Sequence, residues 1–507
     1  MSDEIKKRLR HALESNDVPA VEAAIRAHPE LLTTPQDSRP AVTLARTVDM
    51  AKLLLALGAD IEAVSKWWGP GFGLRRVDQA VATFLVERGA RLTVHAAAGL
   101  GLADRLAEIL DADPSLIDAK GGDGCTPLHF ARDCATATLL LARGARVDAR
   151  DEDHDSTPAQ WLIGETPDVV RLLLQHGASS DIFLAAALGD RVLAEKLVTA
   201  DRACLSCRIG KAPEFPPLGY KHRGGTIYQW TLAFNSYPHQ VALLKEHTDL
   251  FDYLFENSDT MTRFLVSCVL GRRVDAEAIA EQNPGLVASL PSVDLELLAR
   301  YCWETNLNYD AVKLMLDLGF PLTHPETSHG YTPLHNAAWA GAANLVELLL
   351  QRGHPVDIVD PTYHATPFGF AMHDCLVEKR HPEGEFARVL QLLLDAGSPW
   401  NALCYPTGNA DVDNVLRPRL HQRTEGAALL GNEAAVFRLL GENPDSDNLI
   451  RALTGAAKGG HAALCRRLLE AGAPATGTMT GDDDTPLMYA LKARSPETVS
   501  ILKEYGA

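Results

Sequence analysis

Cys204-Leu-Ser-Cys207 places two thiols at the spacing that structural zinc sites use. Such a site needs a second ligand pair, and none follows nearby, so the two cysteines read as thiols at a helix end. His373-Asp374-Cys375 with His381 offers imidazole, carboxylate and thiol within one long turn. That set suits an open metal site only where the turn makes the ligands converge. His222, Arg223, Tyr228, Trp230 and His239 crowd around a stretch rich in proline and glycine, and could line a small-molecule or catalytic pocket. Nucleophile and phosphate motifs are missing: there is no G-x-S-x-G elbow and no G-x-x-x-x-G-K-[ST] loop. Gly69-Pro-Gly-Phe-Gly73 lacks both the lysine and the preceding strand. No G-x-G-x-x-G opens a helix after a strand, so a dinucleotide fold has no support. Asp482-Asp483-Asp484 reads as exposed loop charge. The residues thus assign no catalytic group, no metal ligand and no cofactor.

The elements that would have to position such groups follow from length and pattern. The chain has 507 residues, 46% of them hydrophobic and 22% charged, enough for a well-buried core. Its 48 Lys+Arg against 66 Asp+Glu give a net charge of −18, the wrong sign for a surface that holds nucleic acid or an anionic membrane. No apolar run reaches the ~20 residues of a membrane span. The opening MSDEIKKRLRHALESND lacks the apolar region of an export signal. Nine cysteines are too dilute for a disulfide framework, and their odd count fits reduced thiols. The expectation is a cytoplasmic protein.

Self-similarity sets the organisation. Thr126-Pro-Leu-His129 returns as Thr332-Pro-Leu-His335, with relatives at Thr157-Pro158, Thr366-Pro367 and Thr485-Pro-Leu487. Thr126 to Thr157 is 31 residues and Thr332 to Thr366 is 34. A second marker, a leucine-rich run followed by Gly-Ala, ends at Ala59, Ala90, Ala145, Ala178 and Ala473. Its spacing from Gly58 to Gly89 is 31 and from Gly144 to Gly177 is 33. In the unit that starts at Tyr331, Thr332 can cap a helix, Pro333 suits its first turn, and small Ala337 and Ala338 let paired helices approach. Leu345, Val346, Leu348, Leu349 and Leu350 form the apolar face of a second helix, which Gly353 ends. Laid side by side, these units resemble the ankyrin-repeat family.

The resemblance implies an all-α solenoid of helix-turn-helix repeats joined by short β-hairpin loops. At about 33 residues per unit the chain holds about 14–15 of them, many degenerate. N-terminal repeats fill 1–207, an insertion 208–225, central repeats 226–400 with a second insertion near 373–385, an irregular connector 401–425, and C-terminal repeats 426–507. In this family His129 and His335 would tie neighbouring loops together, a structural duty, and His461 is grouped with them. Hairpin tips and first helices would line one concave surface. The expected function is therefore a protein–protein interaction scaffold, monomeric and with an unidentified protein as partner, working by surface complementarity. Aromatic residues are only 6% of the chain, so their clusters stand out as anchors. These are Trp67, Trp68 and Phe72, flanked by glycine and proline; Tyr220, His222, Tyr228 and Trp230 around the first insertion; and Tyr331, Trp339 and Tyr363 in the best repeats. Core packing is the preferred role for Trp230, Trp339 and Phe368. Acidic runs at Asp148–Asp155 and Gly481–Asp484 could steer a basic partner or keep the tips solvated. The alternative is an enzyme or small-molecule binder on the same scaffold, with 208–225 as its lid.

Overall fold

The computed structural model describes residues 3–32, 41–63, 78–210, 226–303, 306–326, 329–442, 444–479 and 484–507. Among them no strand forms, and short helices follow one another in pairs. The chain divides into two compact units, Met1–Val266 and Ser267–Ala507. No helix of the described residues is long and apolar enough to cross a membrane.

Each sequence marker has a physical counterpart. Threonine stands at the N-cap of Pro158–Leu162, Pro333–Trp339, Pro367–His373 and Pro486–Lys492, with proline in the first turn, where a missing N–H costs nothing. The Gly-Ala marker closes the second helix: Ala59, Ala90, Ala145, Ala178 and Ala473 each donate their N–H to a carbonyl five residues back. His354 does the same after Gly353. In the unit beginning at Thr126 the first helix shrinks to the 3₁₀ turn Pro127–Phe130, because the second helix starts at Cys134.

Loops between units follow one rule. Asp151, Glu326 and Asp360 each stand six residues before the Thr-Pro threonine. Each donates its N–H to the carbonyl of the residue before that threonine, at 3.1, 3.0 and 3.0 Å. The two aspartates also take loop amides on their side chains: Asp151 from Asp153, His154 and Ser156, and Asp360 from Thr362, Tyr363 and Ala365. These are single hairpin turns, held from inside by a carboxylate.

In the first unit, helices Asp3–Glu14 and Val18–Ala27 open a core that runs through Met50, Leu54, Val81 and Leu85. Thr226–Trp230 leads into a π-helical turn, Gln229–Ala233, with Tyr228 and Leu232 turned inward. In the second unit, the apolar face around Leu345, Val346 and Leu349 is fully buried. The 374–385 segment extends Pro367–His373 by a π-helical turn before Phe386–Asp395. The 401–425 stretch is itself helical, through Ala402–Cys404, Ala410–Leu416 and Arg417–Gln422. The helices Thr424–Leu429 and Ser446–Gly459 approach closely at Gly455 and Gly459, with Ala452 and Ala456 fully buried.

Candidate functional site

The second unit carries a continuous stack of rings built on two successive hairpins and the helices they lead into. Its frame is polar and buried. Glu326 Oε1 accepts the His329 N–H at 2.8 Å, and its carboxylate pairs with the Arg300 guanidinium. His335 ties the two loops: Nδ1 accepts from the Thr332 N–H at 3.3 Å, and Nε2 donates to the Ala365 carbonyl at 3.2 Å. An amide can only donate and a carbonyl only accept, so the ring is the neutral Nε2–H tautomer. Burial lowers its pKa accordingly. Asp360 is buried too, which would raise its carboxyl, but the Tyr363, Ala365 and Thr362 amides hold it below the usual range.

On this frame Tyr331 is central. Its ring stacks on His329 at 5.2 Å, on Trp303 at 6.3 Å and on Tyr363 at 6.5 Å, and meets Phe370 edge-on at 5.0 Å. Trp303 lies within 5° of parallel to Trp339. Trp339 continues to Phe370 and His373, with the Arg380 guanidinium 6.0 Å above its ring. The stack is graded in exposure: Tyr331 is 7% exposed, Trp303 and Trp339 are half-buried, and Tyr363 stands 70% exposed at the tip. Trp339 Nε1 is shielded from solvent and has no hydrogen-bond partner. Such a surface presents rigid, flat, amphipathic area with little side-chain entropy left to lose on binding.

Three of the candidate contacts, Tyr331, Trp339 and Tyr363, therefore meet in one place. Tyr228 does not join them and is corrected: it is fully buried, its ring tilted against Phe183 at 5.8 Å, and its hydroxyl donates to Asp181 Oδ2 at 2.8 Å. The π-helical turn that takes Tyr228 inward leaves Trp230 74% exposed, which reverses the core role preferred for that residue. Phe368 is buried at 5% exposure, and Trp339 is half-buried. Trp67, Trp68, Phe72, Tyr220 and His222 lie outside the described residues, as does Arg223. The lid reading of 208–225 falls mostly on the same undescribed stretch.

The other chemical candidates dissolve into structure. Asp374 is buried and closes its turn, accepting from the Arg380 and His381 amides and from His381 Nδ1 at 3.1 Å. His373 turns to the aromatic stack instead. Burial pushes the Cys204 thiol up to about 12 and Cys207 up to about 11, so neither is a thiolate at neutral pH. His239 is buried against Ser258 Oγ at 2.9 Å. His129 repeats the His335 tie, Thr126 N–H to Nδ1 at 3.0 Å and Nε2–H to Ser156 O at 3.1 Å. His461 is a different tie, reaching back to the Leu429 carbonyl at the end of a first helix at 2.9 Å. The acidic run at 148–155 is partly internal: Asp148 accepts the Ser179 N–H at 2.9 Å, and Asp151 is 4% exposed.

Trp303, His329, Phe370 and His373 were missed as members of the stack. A register count finds three of them. His329 and Tyr363 both stand three residues before their Thr-Pro threonine, Trp339 and His373 both seven after it, and Phe370 four after it. Trp303 precedes the repeat without a motif, and no count reaches it.

Family models match three stretches of the chain. An ankyrin-repeat family model matches residues 123–152 and 329–361, and a model of three ankyrin repeats matches 425–507. The E3 ubiquitin-protein ligase KEG of Arabidopsis thaliana is 23% identical over 261 residues, which are 47% of this chain and 15% of the ligase. The crystal structure of the human ASB11 ankyrin repeat domain aligns with 41% of this chain and 83% of its own, at 22% identity and a TM-score of 0.22. Paired short helices, Thr-Pro caps and loops tied by buried histidines go with ankyrin repeats matched at residues 123–152, 329–361 and 425–507.

Proposed function

We propose that the chain is a scaffold that holds another protein against the hairpin tips and first helices of its second unit, the face that is concave in ankyrin arrays. The graded aromatic stack from Trp303 to Tyr363 carries this reading. Its rings are braced from below by neutral His335 and by the Asp360 carboxylate, so they are already ordered before a partner arrives. Aromatic anchors held this way supply most of the binding energy of an interface. No bond is made or broken, and the partner is recognised by fit along an extended surface.

The test is affinity capture from extracts of the source organism, comparing the intact chain with Tyr363→Ala. That ring is 70% exposed, so its loss is expected to change folding stability by less than about 1 kcal/mol. Capture of the partner is expected to weaken by about ten-fold or more. Equal capture by both chains, with cross-links mapping away from Tyr331 and Trp339, would remove the assignment.

A further inference from the structure

Outside the aromatic face, the first unit brings two carboxylates and an imidazole together where successive loops meet. Asp123 and His154 occupy the same register position of successive loops, three residues before Thr126 and Thr157. One ligand atom from each of Asp123, Asp153 and His154 lies within 4.8 Å of the others. Asp123 is 4% exposed and His154 7%, while the Asp153 side chain keeps 23%. The loops are pressed together here: the Asp123 carbonyl accepts the Glu152 N–H at 2.9 Å. A Cβ on Gly124, whose φ is +72°, would stand 2.5 Å from the Glu152 side chain, so only glycine permits the approach.

The imidazole sits between two carboxylates. His154 Nε2 faces Asp153 Oδ2 at 3.6 Å, and Nδ1 faces Asp151 Oδ1 at 3.5 Å. Both distances exceed a hydrogen bond, and Nδ1 is buried with no hydrogen-bond partner. Asp151 cannot move to satisfy it, because its oxygens already take three loop amides and the Trp161 Nε1–H at 2.9 Å. The Trp161 ring packs edge-on to His154 at 5.6 Å and limits access of water. The nearby cations are engaged elsewhere: Arg150 with Asp155, and the Lys120 ammonium with the Arg150 carbonyl at 2.6 Å.

We propose that Asp123, Asp153 and His154 form a site for a divalent first-row transition ion, zinc by preference, with Asp151 orienting the histidine from behind. One imidazole and two carboxylates suit zinc, and the imidazole argues against calcium or magnesium. A tetrahedral zinc wants ligand atoms about 3.4 Å apart, so the three would close by up to about 1.4 Å from their present spread within 4.8 Å. Asp153, the partly exposed member, is free to make that movement. With the ion on Nε2, Nδ1–H points at Asp151, the arrangement that fixes a ligating histidine in most metal sites. Three protein ligands leave a fourth position for water, and the ion would clamp the tips of two adjacent repeats together.

The intact chain, stripped with a chelator, should be titrated with Co²⁺ and followed in visible absorption, with Zn²⁺, Ca²⁺ and Mg²⁺ as competitors. The expected result is one Co²⁺ per chain at micromolar concentration, displaced by Zn²⁺ and not by Ca²⁺ or Mg²⁺. Asp153→Asn should weaken uptake by at least about ten-fold while leaving the melting temperature of the metal-free chain unchanged. Lack of Co²⁺ uptake by the wild type, or equal uptake by Asp153→Asn, would overturn the site. A near-ultraviolet thiolate-to-cobalt band would place the ion on cysteine, as at Cys204 and Cys207, and would overturn it as well.

Discussion

Between pH 6.5 and pH 4 the chain is expected to lose about 3 kcal/mol of stability for each of His129, His239 and His354. Burial pushes all three from the ordinary 6.5 down to about 4. The sign follows from which state takes the proton first. An unfolded chain protonates these imidazoles near pH 6.5, whereas the folded chain refuses the proton until about pH 4. Stability is therefore whole above pH 6.5, falls as pH drops through the window, and has lost this contribution in full below pH 4. Geometry explains the refusal. In His129 the Thr126 amide already occupies Nδ1 as a donor, so a second proton there would set N–H against N–H.

The chain itself contains the control. At the position of His129, the neighbouring unit carries Gln160, whose Oε1 accepts the Thr157 N–H at 3.0 Å and whose amide donates to Asp181 at 3.1 Å. Gln240 accepts the Tyr237 N–H in the same way at 3.0 Å. Glutamine makes both bonds and does not titrate. His129→Gln is thus expected to keep neutral-pH stability within about 1 kcal/mol and to remove about 3 kcal/mol of the acid loss. Urea unfolding at pH 7.5, 5.5 and 4.5 reads both numbers. An unchanged pH slope in the variant would show that His129 is not held neutral.

Gly455→Val is expected to destabilise the C-terminal helices by about 4 kcal/mol, more than most substitutions do. A Cβ at Gly455 would lie 2.1 Å from the Glu425 carbonyl oxygen, and one at Gly459 would lie 2.4 Å from that of Leu429. Those atoms belong to backbone, so no side-chain rotation relieves the overlap and the helices Thr424–Leu429 and Ser446–Gly459 must separate. The parting would expose Ala452 and Ala456, which have no accessible surface. Gly472→Ala supplies the contrast: its φ is +95° but nothing lies within 4 Å of the added carbon. It should cost only the 1–2 kcal/mol or so of a left-handed residue. Thermal melts of the two variants side by side test the distinction, and equal losses would refute the close-approach explanation.

The repeat was legible because its markers are local. A Thr-Pro cap, a small-residue first helix and a Gly-Ala stop each act within a few residues, so Thr332, Ala337 and Gly353 announce their own conformations. Which aromatic ring faces outward is settled by contacts between units. Tyr228 and Trp230 are two residues apart with similar neighbours in the sequence, yet Phe183 and Asp181 draw one inward and a π-helical turn leaves the other out. The acidic run at 148–155 misled for a related reason: a charge that accepts three loop amides, as Asp151 does, is written with the same letter as one that faces water.

The loop geometry separates two kinds of work. Acidic side chains at Asp151, Glu326 and Asp360 and the ring or amide at His129, His335 and Gln160 hold the backbone from beneath. The side chain three places ahead of the Thr-Pro threonine varies from unit to unit: it is aspartate at 123, histidine at 154 and 329, and tyrosine at 363, the last 70% exposed. At exposed Tyr363 specificity can be rewritten by one letter with hardly any penalty to the scaffold. Descendants of such a chain should drift fastest at exposed tips of that kind, acquiring new clients while the architecture stands still.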